Sequence, residues 1–297
     1  MITITTLSDK NYLLKGIALY ESLIETTKGE FTLHYLCLDD FTYDKLYELK
    51  LPHLIPHKIV KYENDKDFKT LISNTKYIEN GFCSYCFALA SFFTNDIMES
   101  LKTKGVFYID SDIILYEDIE KIINSHKNKS VGIHLHKHVP IGHHVGGYNV
   151  GVIYFKNNDI GRNVLKWWRD CVLDIKNKWY VPYGRVGDQA YLEAFEPLFG
   201  KENIFVFDEE IGHAAPWNFN MITHLGNRGM VWNGEKQLIH FIHFSQFTPN
   251  FKNNSYNIDR EGGKTWGISQ LNNVHIKEFY DDYYSRLKNV KIKYKLI

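Results

Sequence analysis

Val106-Phe107-Tyr108-Ile109-Asp110-Ser111-Asp112-Ile113-Ile114-Leu115 decides how the chain is read. An apolar run leads straight into two carboxylates and resumes behind them. A run this short suits a strand buried on both faces of a mainly parallel sheet. The carboxylates then stand where the strand emerges, at the edge where open α/β sheets bind ligands. Side chains two apart on an extended chain share a face, so Asp110 and Asp112 converge while Ser111 points away. Two anionic oxygens aimed at one point make a seat for a hard divalent cation such as Mg²⁺ or Mn²⁺. The competing reading, a solvated turn that happens to be acidic, is disfavoured by the strength of the apolar run ahead of it.

Upstream of this stretch, strand and helix patterns alternate. Ile2 to Leu7 is β-branched and apolar, and the polar turn Ser8-Asp9-Lys10-Asn11-Tyr12 ends it. Leu13, Ile17, Tyr20 and Ile24 recur at helical spacing, which assigns Lys15, Glu21 and Glu25 to the wet face. Phe31 to Leu38 predicts a second strand, Tyr43 to Leu49 a short helix, and His57 to Tyr62 a third strand. This order is that of right-handed βαβ units in a doubly wound sheet. No Gly-x-Gly-x-x-Gly follows the first strand, which argues against a dinucleotide dehydrogenase. Gly81 to Met98 reads as an apolar helix. Its Cys83 and Cys86 read as small apolar residues, because no second ligand pair with zinc spacing accompanies them.

Downstream, Glu117 to Ile123 predicts a short charged helix. His134, His136 and His138 alternate, so on a strand they share one face, with His143 and His144 close behind; a second metal site is the weaker reading of this cluster. Gly146 and Gly147, ahead of an apolar strand ending Ile153-Tyr154-Phe155, suggest close backbone approach to something bound. Arg162 to Lys176 is an amphipathic helix with Trp167 and Trp168. Asp188 opens the next helix, where helix capping is its plain structural role. Ile204 to Phe207 is a strand, residues 212–218 a loop rich in ligand-type side chains, and Leu238 to Phe244 the last clear strand. His240 and His243 stand three apart on it and face opposite ways, so one of them at most reaches a shared site. Ile276, Phe279, Tyr283, Leu287 and Val290 mark a C-terminal helix. The basic, aromatic Lys291-Ile292-Lys293-Tyr294-Lys295 is read as its docked, partly solvated end rather than as a peripheral membrane contact.

Composition sets the outer bounds. The chain has 297 residues, 44% hydrophobic and 15% aromatic, enough for a sizeable core. Basic and acidic residues balance at 35 each, so no global charge advertises nucleic acid or an anionic membrane. No apolar run reaches the ~18 residues of a membrane span. The N-terminus enters a strand without a signal-like segment, making a cytoplasmic location the default. Four cysteines are too few for a disulfide scaffold of this size.

Five motifs occur in register: Ser8-Asp9-Lys10-Asn11-Tyr12, Tyr108-Ile109-Asp110-Ser111-Asp112, Tyr148-Asn149-Val150-Gly151-Val152, Gly187-Asp188-Gln189 and His243-Phe244-Ser245. With Trp167-Trp168-Arg169 and Ala215-Pro216-Trp217-Asn218, they resemble the GT-A glycosyltransferases, especially the family 8-like group and its bacterial surface-polysaccharide relatives. The resemblance runs from residue 2 to about residue 250. It implies one GT-A domain over 1–250, a mixed, mostly parallel Rossmann-like sheet flanked by helices, with 251–297 as a C-terminal helical extension packed on it.

It also implies a metal-dependent transferase of the hexosyl type, working in polysaccharide biosynthesis. The expected donor is a UDP-sugar, the acceptor a glycan or other hydroxyl, and the ion Mn²⁺ or Mg²⁺. Asp110, Asp112 and His243 would hold the metal. Asp9 would bond the base and Tyr12 stack on it. Leu7, Ser111, Asn149, Trp217 and Asn218 would complete the nucleotide-sugar contacts, and Asp188 and Gln189 would face the reacting sugar. In inverting chemistry Asp188 would be the general base; in retaining chemistry it would orient the sugar or stabilise oxocarbenium charge. The sequence departs from the family twice. Gly81 to Met98 carries no Arg or Lys where an arginine usually faces the diphosphate, and Gln246 replaces the glycine expected after His-Phe-Ser. The alternatives are a sugar-1-phosphate nucleotidyltransferase and a haloacid-dehalogenase-type phosphatase, whose opening loop and Asp-x-Asp context are both missing, and a non-catalytic nucleotide-sugar or glycan-binding protein.

Overall fold

The computed structural model describes residues 1–62, 65–66, 69, 81–101, 103–125, 128–143, 145–173 and 188–296. Its strands are β1 (Ile2–Ser8), β2 (Phe31–Cys37), β3 (Leu54–Lys58), β4 (Gly105–Ile109), β5 (Ile113–Leu115), β6 (Val131–Leu135), β7 (Tyr148–Lys156), β8 (Ile204–Val206), β9 (Gly212–Ala214), β10 (Thr223–Gly226), β11 (Gly229–Trp232), β12 (Glu235–His243), β13 (Thr248–Asn250) and β14 (Ser255–Asn257). The fold is mixed α/β, with a central, largely parallel sheet flanked by helices and a closing helix at Val274–Lys293. The chain forms two compact units. Unit one gathers Met1–Asn11, Gly29–Asp110 and Glu120–Phe207; unit two gathers Tyr12–Lys28, Ser111–Ile119 and Asp208–Ile297.

Unit one is built on a seven-stranded sheet of order β3-β2-β1-β4-β7-β6-β8. β7 alone runs against its neighbours β4 and β6, while β1, β2, β3 and β4 pair in parallel. Strand order reverses at β1, so the carboxyl ends of β1 and β4 flank the switch point where such sheets receive ligands. Ser8 ends the first of these strands and Ile109 the second, placing Asp9 and Asp110 at adjacent strand ends. Every residue of β1 and β4 is buried, as the two-sided apolar pattern requires. Among the buried threonines of β1, Thr5 Oγ1 lies 2.7 Å from Thr94 Oγ1 of helix Gly81–Ser100 and donates to the Phe107 carbonyl at 3.0 Å. Helices Gly81–Ser100 and Asp159–Leu173 share one core with the sheet, centred on Phe93, Phe155, Trp168 and Phe195. At Gly132 a Cβ would meet the Phe205 ring at 2.4 Å, so β6 and β8 pack at a distance only glycine permits.

Unit two carries a second sheet of order β10-β11-β12-β5, with β9 parallel against β12. Phe219, Phe244 and Phe247 meet Tyr280 and Tyr283 of the closing helix, with Phe244 and Tyr283 stacked at 4.0 Å. That explains why Ile276, Phe279, Tyr283, Leu287 and Val290 are all buried at helical spacing. Helix Leu13–Thr26 is tied to this helix by Glu25–Arg286 at 2.7 Å and Glu21–Lys293 at 2.9 Å.

Several elements differ from the sequence-based expectation. The apolar run around the aspartates serves two sheets: β4 belongs to the parallel sheet, whereas β5 pairs antiparallel with β12. The third strand occupies Leu54–Lys58, and Ile59–Tyr62 is a 3₁₀ turn. Pro56 is tolerated there because β3 is an edge strand, where a missing N–H costs no ladder bond. The short charged helix begins at Glu120 rather than Glu117. The Asp159–Leu173 helix starts three residues before its expected limit, and its expected end at 174–176 lies outside the described residues, as do the side chain of Cys83 and all of His144 and Gly187.

Candidate functional site

The aspartate pair sits on the turn that leaves β4. Asp110 donates its backbone N–H to the Gly151 carbonyl at 2.9 Å, and the Tyr108 hydroxyl donates to Asp110 Oδ1 at 2.7 Å. Beyond the turn, the antiparallel register of β5 on β12 places His243 opposite Ile113, and Phe244 N donates to the Asp112 carbonyl at 2.8 Å. This register brings His243 Nε2 to 3.0 Å from Asp112 Oδ1. The other carboxylate oxygen of Asp112 lies 3.8 Å from the ammonium of Lys15. Although burial alone would raise it, the imidazole and the ammonium hold the Asp112 carboxyl down to about 2. His240 faces away, its Nδ1 2.7 Å from the Leu238 carbonyl. Ser111 is buried in the turn between the two aspartates.

One oxygen of each aspartate and one ring nitrogen of His243 lie within 4.8 Å of one another. Around a single ion with bonds of about 2.0–2.3 Å, adjacent ligand atoms stand about 3 Å apart and opposite ones about 4.5 Å. The cluster fits a divalent cation after small side-chain adjustments, and its two hard oxygens with one imidazole suit Mn²⁺ or Mg²⁺. It is the one such group of three among the described residues, and none of the histidines from 134 to 143 joins it. The expected shared face of those histidines is not realised. β6 ends at Leu135, leaving His134 alone on the strand, stacked on Phe207, while His136 and His138 lie past its end.

Further side chains of unit two surround Asp112 and His243. Trp217 stands edge-on to the His243 ring at 5.1 Å and contacts Trp266 at 5.9 Å. Asn218 is fully buried, and its Oδ1 accepts from Ala215 N at 2.8 Å, fixing the turn that presents Trp217. His213, in the stretch expected to be a ligand-bearing loop, is instead on β9 and buried against Asp208 at 2.6 Å. The Tyr12 hydroxyl accepts from Arg260 at 3.0 Å, and the Lys15 ammonium lies 3.9 Å from the Tyr12 ring centroid. Lys15 corrects the sequence reading. It was assigned to the wet face, yet it is only 6% exposed, and burial lowers its pKa to about 8 against the pull of Asp112. The available signal was its isolation: it is the one charged residue between Leu13 and Tyr20. Gln246, standing where glycine was expected, keeps the left-handed backbone glycine favours, with φ 64°.

In unit one, Asp188 is 4% exposed and starts a 3₁₀ turn, Gln189–Ala194, without a side-chain capping bond. Capping therefore does not account for it. Its carbonyl accepts from the Trp168 indole at 3.0 Å, and its carboxyl accepts from the backbone N–H groups of Asp188 and Gln189. Burial first, and then the Asp110 carboxylate, raise its pKa well above the usual range. Gln189 Oε1 accepts from Asn149 Nδ2 at 2.8 Å, its Nε2 donates to the Val145 carbonyl at 2.8 Å, and Asn149 Oδ1 accepts from Gly151 N at 2.9 Å. Leu7 belongs to the core. The Asp9 carboxylate accepts from both the backbone and the side chain of Asn11, at 3.0 and 2.7 Å. The glycines ahead of β7 approach the protein itself rather than an open site. A Cβ on Gly146 would meet Ala190 Cα at 3.1 Å and one on Gly147 would meet Ile141 Cα at 2.7 Å, while Glu193 accepts from Gly147 N at 2.6 Å.

This is the fold of the GT-A-type glycosyltransferases. The chain matches mouse xyloside xylosyltransferase 1 in its apo form with a TM-score of 0.54, at 14% identity over 86% of this chain and 99% of that one. It matches the galactosyltransferase LgtC, solved with donor and acceptor sugar analogs, with a TM-score of 0.52, at 15% identity over 82% of this chain and 87% of that one. In sequence it is 27% identical to the uncharacterized protein YfnF of Bacillus subtilis (strain 168) over 255 residues, 82% of this chain and 80% of the relative. No family model matches. Among the described residues no helix is long and apolar enough to cross a membrane.

Proposed function

We propose that this protein is a metal-dependent glycosyltransferase that moves a sugar from a nucleotide-sugar donor, a UDP-sugar, to a hydroxyl of a glycan acceptor. The observation that carries this reading is the Asp110, Asp112 and His243 donor set at the carboxyl end of a central strand in a GT-A fold. When bound, the divalent cation supplies Lewis-acid stabilisation of the departing diphosphate.

The chain's own groups do the rest. Tyr108 orients Asp110 through its hydroxyl, and the β5–β12 register fixes His243 against Asp112. Tyr12 offers a ring for the nucleobase, and Asp9, with Leu7 and Ser111 around the strand ends, lies in the nucleoside-facing segment. Asn149 and Gln189, bonded to one another, are the amide pair that would face the sugar, and Trp217, edge-on to the His243 ring, would border the nucleotide-sugar. Asp188 has an elevated proton affinity, which suits a general base that accepts the acceptor hydroxyl's proton. In a retaining enzyme the same carboxylate would face developing positive charge on the sugar.

The test is a panel of nucleotide sugars incubated with Mn²⁺ and scored for donor hydrolysis, which needs no known acceptor. A UDP-sugar is expected to break down and EDTA to stop it. Turnover that survives EDTA overturns the metal mechanism. UDP binding without breakdown of any donor makes the protein a binding module.

A further inference from the structure

Lys15 is a costly residue where it stands. It interrupts an otherwise apolar helical run, its side chain is 7% exposed, and its anionic partner is 3.8 Å away, within ion-pair range but beyond a hydrogen bond. Asp112 turns its nearer contact to His243 instead, at 3.0 Å. A buried ion pair of this kind is a poor stabiliser compared with a packed aliphatic side chain, so folding alone does not call for lysine here. Lys15 and Tyr12 are three apart on one helical face, and the ammonium lies 3.9 Å from the Tyr12 ring centroid. A second cation approaches the same ring, with Arg260 bonded to the Tyr12 hydroxyl at 3.0 Å. Arg260 is held by a built loop. The fully buried Asp259 carboxylate accepts from the backbone N–H groups of Glu261, Gly263, Thr265 and Trp266 at 2.7–3.0 Å. Gly262 and Gly263, at φ 67° and 90°, make that winding possible.

We propose that Lys15, assisted by Arg260, is the protein's own receptor for the diphosphate of the donor. This rests on the nucleotide-sugar reading above and adds the residues that hold the leaving group. A lysine ammonium is a compact point charge with three donors, suited to phosphate oxygens that approach beside Asp112. Tyr12 for the base and Lys15 for the phosphates then come from a single helical turn. Part of the affinity for a nucleoside diphosphate is therefore independent of any divalent ion.

The test compares UDP with uridine by calorimetry, in EDTA and in Mn²⁺, for the wild type, Lys15→Met and Arg260→Gln. In the wild type, UDP binds better than uridine even in EDTA. In folded Lys15→Met that preference falls at least tenfold while uridine affinity holds. Arg260→Gln, at an exposed position that leaves the core intact, lowers it about threefold. An unchanged UDP-over-uridine ratio in folded Lys15→Met, or a wild type with no preference in EDTA, overturns the assignment. Absence of nucleoside diphosphate binding by the wild type in Mn²⁺ is a different failure, that of the glycosyltransferase reading itself.

Discussion

Asp112 in unit two and Asp188 in unit one are both buried acids, yet they sit in opposite electrical surroundings. Burial pushes each carboxyl toward its protonated form. Around Asp112 an imidazole and an ammonium reverse that push and bring it to about 2. Around Asp188 the charged neighbour is another carboxylate, Asp110, and the push is reinforced. Neighbouring charge, rather than depth, separates a carboxyl held ionised from one pushed toward its protonated form.

The sharpest way to break this comparison is Asp188→Asn. If Asp188 is the proton acceptor, kcat should fall about 10²–10⁴-fold, the usual contribution of a positioned base. Thermal melting should stay level or rise, because a neutral amide replaces a buried acid. Near-normal turnover would return Asp188 to the structural residues. Asp112→Ala should do the reverse. It strands Lys15 without its carboxylate, at a cost of about 3–5 kcal/mol in urea denaturation, and it should remove Mn²⁺-dependent UDP binding.

A pH series separates the two acids by sign. The Asp112 carboxyl is depressed, so its stabilisation is present above its unfolded value near 4 and is lost as pH falls to about 2. That stabilisation amounts to about 2–3 kcal/mol. Asp188 is raised, so its burden on stability grows as pH climbs through the ordinary carboxylate range. The stability of Asp188→Asn relative to wild type should therefore improve above pH 4. Parallel stability curves for wild type and Asp188→Asn would contradict this assignment. A smaller effect is expected at Tyr12, where Tyr12→Ala should weaken UDP by roughly 1–3 kcal/mol in calorimetry, as loss of base stacking does elsewhere. Smallest is the histidine pair. His240→Ala should cost about 1 kcal/mol of stability, one intrastrand hydrogen bond, and leave Mn²⁺ dependence intact, whereas His243→Ala should abolish it. The reverse ordering would mean the wrong face of β12 has been chosen.

Much of this was legible from periodicity. β1 and β2 lie within a residue of their expected limits, β4 begins a residue before its expected start, and the closing helix buries each of its expected apolar positions, because these buried faces are unbroken. The Asp-x-Asp pair was legible as an acidic break in an apolar run, but the two aspartates stand on a turn between β4 and β5 rather than on one extended strand. Strand periodicity limited the histidines to one of His240 and His243, and only the motif His243-Phe244-Ser245 singled out His243. Lys15 escaped because helical periodicity sorts residues by polarity, and a lysine inside the apolar stripe is assigned outward by default. Arg260 escaped because its position depends on the loop wound around Asp259, which has no period to read. The histidines 134–138 misled for a related reason: alternation implies a shared face only while the strand lasts, and β6 stops at Leu135.

The discontinuity of unit two in sequence has a consequence for synthesis on the ribosome. Its parts come from residues 12–28, 111–119 and 208–297, and Glu21 and Glu25 meet their partners Lys293 and Arg286 across 272 and 261 residues of chain. Helix Leu13–Thr26 cannot pack against the closing helix Val274–Lys293 until the whole stretch of chain between them has been made. At about 5–20 residues per second that wait is on the order of tens of seconds. For that interval the face of Leu13–Thr26 that the closing helix covers is open to chaperones and to aggregation alike.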